Sequence, residues 1–156
     1  MRILFVCLGN ICRSPTAHGV FEKYVVDAGL SSYIEIDSAG TGDWHIGKPP
    51  DLRTQQAALK RGFDLSALRA RQVVRNDFAE FDLILAMDKQ NHRDLCALAS
   101  PDLHHKIQLF LDYADHPVKE VPDPYYGGED GFHQVLDLVE LAAQGLLRSI
   151  QHRAAK

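Results

Sequence analysis

Cysteine is scarce in this chain. Only Cys7, Cys12 and Cys96 occur among 156 residues, an odd and low count that argues against a disulfide framework and fits a reducing compartment. It also argues against structural zinc, because the Cys7–Cys12 spacing is wrong for a knuckle and there is no second cysteine pair. The eight histidines include no HExxH or HxH cluster, and the adjacent His104 and His105 read as solvated loop residues. Positive charge is not in excess. Seventeen Lys and Arg against 21 Asp and Glu leave a net charge of −4, which offers no general attraction to nucleic acid or to anionic membranes. There is no basic tail, no N-terminal signal pattern and no long uncharged apolar run, and the first residues pass directly into a strand-like segment. A cytoplasmic protein with neither nucleic acid nor membrane as partner is therefore expected. A Gly-Lys-Ser/Thr phosphate loop and a GxGxxG dinucleotide fingerprint are both absent.

The composition, 46% hydrophobic and 24% charged, is that of a globular chain. The length suits one domain over residues 1–156 around a single core, with no repeat, low-complexity tract or linker. Ile3-Leu4-Phe5-Val6 is a continuous apolar run that predicts a strand buried on both faces. Ser14 and Pro15 suit an N-cap and a first helical position. Apolar residues from Ala17 to Ala28 then recur at helical spacing as far as a Gly29 stop. Further strands are predicted at Ile34–Ile36, Phe81–Ala86 and Ile107–Phe110. Helices are predicted over Asp51–Arg61, from the Asp88 cap to about Ala99, and from Glu129 to His152. Gly- and Pro-rich loops occupy Ser38–Pro50 and Pro117–Asp130. Alternating strands and helices predict an α/β fold of three layers, an open parallel sheet with helices on both faces. Ligands of such sheets bind beyond the carboxyl ends of the strands, and Cys7 stands at that end of the first.

The octapeptide Cys7-Leu8-Gly9-Asn10-Ile11-Cys12-Arg13-Ser14 thus lies on a strand-to-helix turn. A cysteine followed after five residues by an arginine makes a phosphate cradle with its own nucleophile. An unperturbed thiol, with a pKa of about 8.5, is only slightly ionised at neutral pH. Inward-pointing loop amides, the positive end of the following helix and the fixed charge of Arg13 would all favour the thiolate. The same features would hold a phosphate dianion, with the planar guanidinium gripping two oxygens. Gly9 would ease unusual backbone angles. Asn10 and Ser14 could hold the loop's shape, and Ser14 could donate to the sulfur. Asp123, in Asp123-Pro124-Tyr125-Tyr126-Gly127-Gly128, is the candidate acid for the leaving oxygen and then base for the hydrolytic water. Tyr125, Tyr126 and Trp44 suit the wall of an aromatic ligand pocket. Cys12 reads equally as a redox partner of Cys7 or as a small buried residue, and Cys96 as packing.

These residues closely resemble the low-molecular-weight protein tyrosine phosphatase family. The likeness runs through Val6–Ala17, Asp37–Thr41, Trp44–Asp51, Ala70-Arg71-Gln72, Met87-Asp88 and Asp123–Tyr126, and so covers nearly the whole chain. The resemblance implies a central four-stranded parallel sheet and hydrolysis of phosphotyrosine with no metal or other cofactor. It implies Cys7 as nucleophile, Arg13 as phosphate clamp and Asp123 as general acid and base. Leu8, Gly9, Asn10, Ile11, Cys12 and Ser14 would form the phosphate loop, with Trp44, Tyr125 and Tyr126 around the substrate ring. Cys12 would pair with Cys7 under oxidation, and Tyr125 and Tyr126 would be candidates for phosphorylation. The implied partners are a phosphotyrosine-containing protein, a tyrosine kinase among the candidates, and phosphate-like anions. The implied state is a monomer or weak dimer. One departure stands out: Leu68 occupies the position where many members carry a histidine that helps hold the loop asparagine. The alternatives are a thioredoxin-coupled arsenate reductase, which would need more cysteines, and a silent phosphotyrosine-binding module, which would need Cys7, Arg13 or Asp123 missing or mispositioned.

Overall fold

The apolar run at the N-terminus forms strand β1 (Arg2–Cys7), and every side chain from Ile3 to Cys7 is buried. The computed structural model describes residues 1–124 and 128–154. β1 lies between β2 (Glu35–Gly40) and β3 (Leu83–Ala86), and β4 (Ile107–Leu109) pairs with β3. All pairings are parallel, giving the order β2-β1-β3-β4. This is the predicted four-stranded parallel sheet.

Alternation along β1 sends successive side chains into different cores. Ile3, Phe5 and Cys7 pack with Ala17, Val20 and Phe21 of α1 (Arg13–Asp27), Ala57 and Ala58 of α2 (Leu52–Lys60), and the apolar stripe of α5 (Glu129–Ala154). Leu4 and Val6 pack with Phe78 of α3 (Asn76–Glu80) and Leu95 of α4 (Lys89–Leu98). Phe5 anchors the first core through edge-on contacts with Phe21 and Phe110, at centroid distances of 5.8 and 5.1 Å. No helix among the described residues is long and apolar enough to cross a membrane.

The structure corrects several local expectations. The second strand continues past Ile36 to Gly40, so Ser38, Ala39 and Gly40 pair with Phe5, Val6 and Cys7 rather than opening a loop. The ladder beside a buried central strand overrides their weak strand propensity. The third strand begins only at Leu83, because α3, which was not predicted, ends against Phe81. Residues Pro101–Lys106 and Phe110–Tyr113 form 3₁₀ turns, and His104 is not merely solvated: its ring donates to the Cys96 carbonyl at 2.8 Å.

Ser14 does not cap α1. The helix begins at Arg13, and Cys12 occupies the cap position with no side-chain bond. Asp51 and Asp88, in contrast, do cap α2 and α4, accepting from Arg53 N–H at 2.9 Å and Asn91 N–H at 2.7 Å. Gly29 and Gly62 end their helices in the left-handed region, at φ 73° and 89°.

Candidate active site

The chain leaves β1 at Cys7 and re-enters regular structure at Arg13, so the phosphate loop is a short turn over the carboxyl edge of the sheet. Cys7 is 3% exposed. Its sulfur accepts the Asn10 backbone N–H at 3.3 Å and lies 3.0 Å from Ser14 Oγ. Ser14 Oγ itself accepts from Asn10 Nδ2 at 2.8 Å. The hydroxyl proton is then left for the sulfur or for the Ala39 carbonyl, 3.5 Å away, and the sulfur is nearer. Not capping the helix is what frees Ser14 for this role.

Asn10, not Gly9, takes the unusual backbone angle. Its φ is +56°, and Gly9 lies outside the left-handed region. Asparagine tolerates that conformation better than other side-chain-bearing residues do. The lack of a side chain at Gly9 serves proximity instead, since a Cβ there would sit 3.0 Å from the His45 ring.

The support missing at Leu68 comes from backbone. Asn10 Oδ1 accepts from the Arg71 N–H at 3.0 Å, while Leu68 packs against the α1/α5 core. Arg71 is fixed in turn. Its guanidinium makes a two-pronged contact with Asp77 at 3.0 and 3.2 Å and a bond to Asp37 at 3.0 Å. Its carbonyl accepts from Gly40 N–H at 2.8 Å, at the end of β2.

Arg13 is 4% exposed. Nη1 donates to Asp88 Oδ2 at 2.6 Å and to the Val121 carbonyl at 3.1 Å, while Nη2 lies 3.8 Å from Asp123 Oδ2. Among the described residues nothing engages Nε, so the Nε/Nη2 edge has the fork geometry that two phosphate oxygens require. Burial opposes the guanidinium's charge, but Cys7, Asp88 and Asp123 outweigh it and hold its pKa above the ordinary value. Asp88 thus has two functions, one oxygen capping α4 and the other aiming Arg13. Val121 N–H donates to the Met87 carbonyl at 2.8 Å, which ties the Asp123 segment to the end of β3.

These groups border one cavity of about 370 Å³, lined by Cys7, Leu8, Gly9, Ile11, Cys12, Arg13, Trp44, His45 and Asp123. The structure therefore unites the three predicted chemical groups with Trp44 and the loop. Asn10 and Ser14 lie beneath it, and Tyr125 and Tyr126 lie outside the described residues. Burial pushes the Cys12 thiol up to about 12, so it stays protonated near neutral pH. Cys96 packs in the other core, against the Leu4 and Val6 side of the sheet. His45, Asp88 and Arg71 are the residues that sequence reasoning missed as parts of the site. Asp88 reads as a cap, and all three stand within stretches of the family likeness (Trp44–Asp51, Met87-Asp88 and Ala70-Arg71-Gln72) without a stated part in the site. No group of three or more His, Cys, Asp or Glu that could hold a metal exists among the described residues.

Residues 2–156 match the family model described as low molecular weight phosphotyrosine protein phosphatase. The Bacillus subtilis low molecular weight protein-tyrosine-phosphatase YfkJ is 43% identical over 150 residues, covering 96% of this chain and 95% of that protein. A protein tyrosine phosphatase from Entamoeba histolytica, solved with Hepes in its active site, superposes with a TM-score of 0.95 at 40% identity, over 99% of each chain. Vibrio vulnificus Wzb, solved in complex with benzylphosphonate, superposes with a TM-score of 0.84 at 30% identity, over 95% of this chain and 97% of that one.

Proposed function

The chain belongs to the low molecular weight phosphotyrosine protein phosphatase family and is a protein-tyrosine phosphatase, and from that premise we propose that it hydrolyses protein phosphotyrosine and small aryl phosphates through a phosphocysteine intermediate, without a metal. The observation that carries this reading is the meeting of Cys7, Arg13 and Asp123, from three distant parts of the sequence, around one cavity. The Cys7 thiolate attacks phosphorus. A sulfur–phosphorus bond forms as the bond to the aryl oxygen breaks, and Asp123 gives its proton to that oxygen. Arg13 and the loop amides hold the phosphoryl oxygens throughout, where charge spreads in the transition state. Water then attacks phosphorus, the Asp123 carboxylate takes its proton, and phosphate leaves as the thiolate is restored.

The protein substrates, tyrosine kinases among the candidates, would present the phosphorylated ring between Trp44 and Asp123. Under peroxide, Cys7 would be oxidised to the sulfenic acid, and the neighbouring Cys12 sulfur would displace water from it to form a disulfide. The placement of Cys96 in the opposite core disfavours a thiol relay of the arsenate reductase kind.

The test is hydrolysis of p-nitrophenyl phosphate with and without EDTA, together with Cys7→Ser. Activity should survive EDTA. Cys7→Ser should lose at least about 10³-fold in kcat yet still bind vanadate. A fully active Cys7→Ser enzyme overturns the mechanism.

A further inference from the structure

Trp44 stands between two cavities. One is the catalytic cavity. The other, of about 210 Å³, lies beside Trp44 and Gly42 and is walled by Leu8, Val73, Leu95 and Leu98, with one carboxylate, Asp94. Trp44 is 64% exposed, so general packing does little to fix where its indole lies. Gly42 does more. A Cβ built on residue 42 would overlap Cζ3 and Cε3 of Trp44 and stand only 2.9 Å from Cη2. The ring therefore rests on the bare backbone of residue 42. The backbone does not itself require glycine there, since the left-handed glycines among the described residues are Gly29, Gly47 and Gly62. The Gly42 N–H donates to the Leu8 carbonyl at 2.9 Å, a bond that any residue except proline could make. What this position needs is the missing side chain.

We propose that Gly42 is a specificity-determining positioning residue, whose bare backbone seats the Trp44 indole as the wall that selects aryl over alkyl phosphates. This rests on the reading of the cavity as an aryl phosphate site. A side chain at position 42 must lift the ring off its seat, at small cost to the fold because the ring is exposed. Residue 42 does not line the catalytic cavity, and its bond to the phosphate loop, from its N–H to the Leu8 carbonyl, survives the substitution, so phosphate should bind as before. Displacing a flat wall weakens contact with an aromatic ring while leaving a methyl group indifferent.

The test is calorimetric binding of benzylphosphonate and methylphosphonate to the full chain as wild type, Gly42→Ala, Trp44→Ala and the double variant. Trp44 is the only tryptophan, so its emission reports the ring's position directly. Wild type should prefer benzylphosphonate. Gly42→Ala should shift the emission, cut that preference roughly tenfold and leave methylphosphonate within about twofold. In the Trp44→Ala background, where no clash exists and folding is not at issue, Gly42→Ala should change nothing further. Unchanged preference in Gly42→Ala, equal weakening of both phosphonates, or full additivity in the double variant overturns the inference. Wild type that discriminates the phosphonates but hydrolyses no aryl phosphate overturns the phosphatase reading instead and leaves this one standing.

Discussion

On the floor of the cavity, Asn10, Arg13 and Ser14 are 3%, 4% and 0% exposed. Each is held by hydrogen bonds to residues distant in sequence or to one another. At the rim, Leu8 and Trp44 are 41% and 64% exposed, and the Asp123 side chain is 42% exposed, with its carboxylate 3.8 Å from Arg13. The floor is polar, buried and over-determined. The rim is more exposed, and its indole is set by the steric seat on Gly42. Phosphate is the same in every substrate and can be met by a rigid cradle, because preorganised donors lose nothing to reorganisation at the moment of reaction. The group that carries the phosphate differs between substrates, and a rim of exposed side chains can accommodate that difference. Damage to the floor should therefore appear in kcat and in phosphate affinity. Damage to the rim should appear in discrimination between substrates.

Asp123 is the rim residue that should break this division, and it carries the largest effect. Its proposed work is proton transfer, so Asp123→Asn should lower kcat for p-nitrophenyl phosphate by about 10²–10³-fold. Inhibition by inorganic phosphate should stay the same or tighten slightly, because the substitution removes a negative charge near the anion. Steady-state kinetics with phosphate as competitor gives both numbers. An Asp123→Asn enzyme that keeps kcat but loses phosphate affinity would make Asp123 part of the cradle.

A smaller effect is expected on the floor at Asp88, where the helix cap and the aim of Arg13 can be separated. Asp88→Ala removes both the hold on Arg13 and the α4 cap. It should cost roughly tenfold in kcat/KM by loosening the guanidinium and about 1 kcal/mol in stability from the lost cap. Asp88→Asn has one oxygen for these two tasks; placed at the cap it spares the helix but turns an NH2 toward Nη1, so its loss of stability should be the smaller and its loss of kcat/KM about the same. Equal losses of stability in the two variants would mean that the cap contributes nothing to the fold.

Local physics explains which of these features are legible in the sequence. The buried run Ile3–Val6, the cap Asp88, the stop at Gly29 and the long last helix all follow from propensity and period. The spacing of Cys7 and Arg13 is legible for the same reason, since one short turn brings them together. The bond from Arg71 N–H to Asn10 Oδ1 is not, because it depends on how residues 70–73 lie against the end of β2. The second oxygen of Asp88 and the seat of Trp44 on Gly42 are equally products of the tertiary fold. Ser14 shows how such a contact can reverse a sound local expectation. Its preference for a cap position yields to a buried pairing with Asn10 and the Cys7 sulfur.

The smallest expected effect lies behind the floor, at His18, and concerns stability alone. His18 is 7% exposed. Its Nδ1 lies 3.1 Å from Ser38 Oγ and its Nε2 lies 3.2 Å from Glu22 Oε2. Burial holds its pKa below the ordinary 6.5, and the negative charges of Glu22 and Asp37, which favour the imidazolium, do not offset that. The unfolded chain therefore takes up this proton at a higher pH than the folded chain does. Stability is fully present above about pH 6.5 and falls as the solution is acidified below it, with a slope of at most about 1.4 kcal/mol per pH unit from this one group. The same side chain is linked to the floor, since Ser38 N–H donates to Asp37 and Asp37 accepts from Arg71. Urea midpoints at pH 7.5, 6.5 and 5.5 should show wild type losing more stability on acidification than His18→Gln. The aryl-to-alkyl preference should be unchanged by that substitution at pH 7.5, because His18 touches nothing at the rim. Parallel stability profiles for the two proteins would mean that His18 is not the group responsible. A changed preference at pH 7.5 would mean that floor and rim are more tightly coupled than their separate contacts imply.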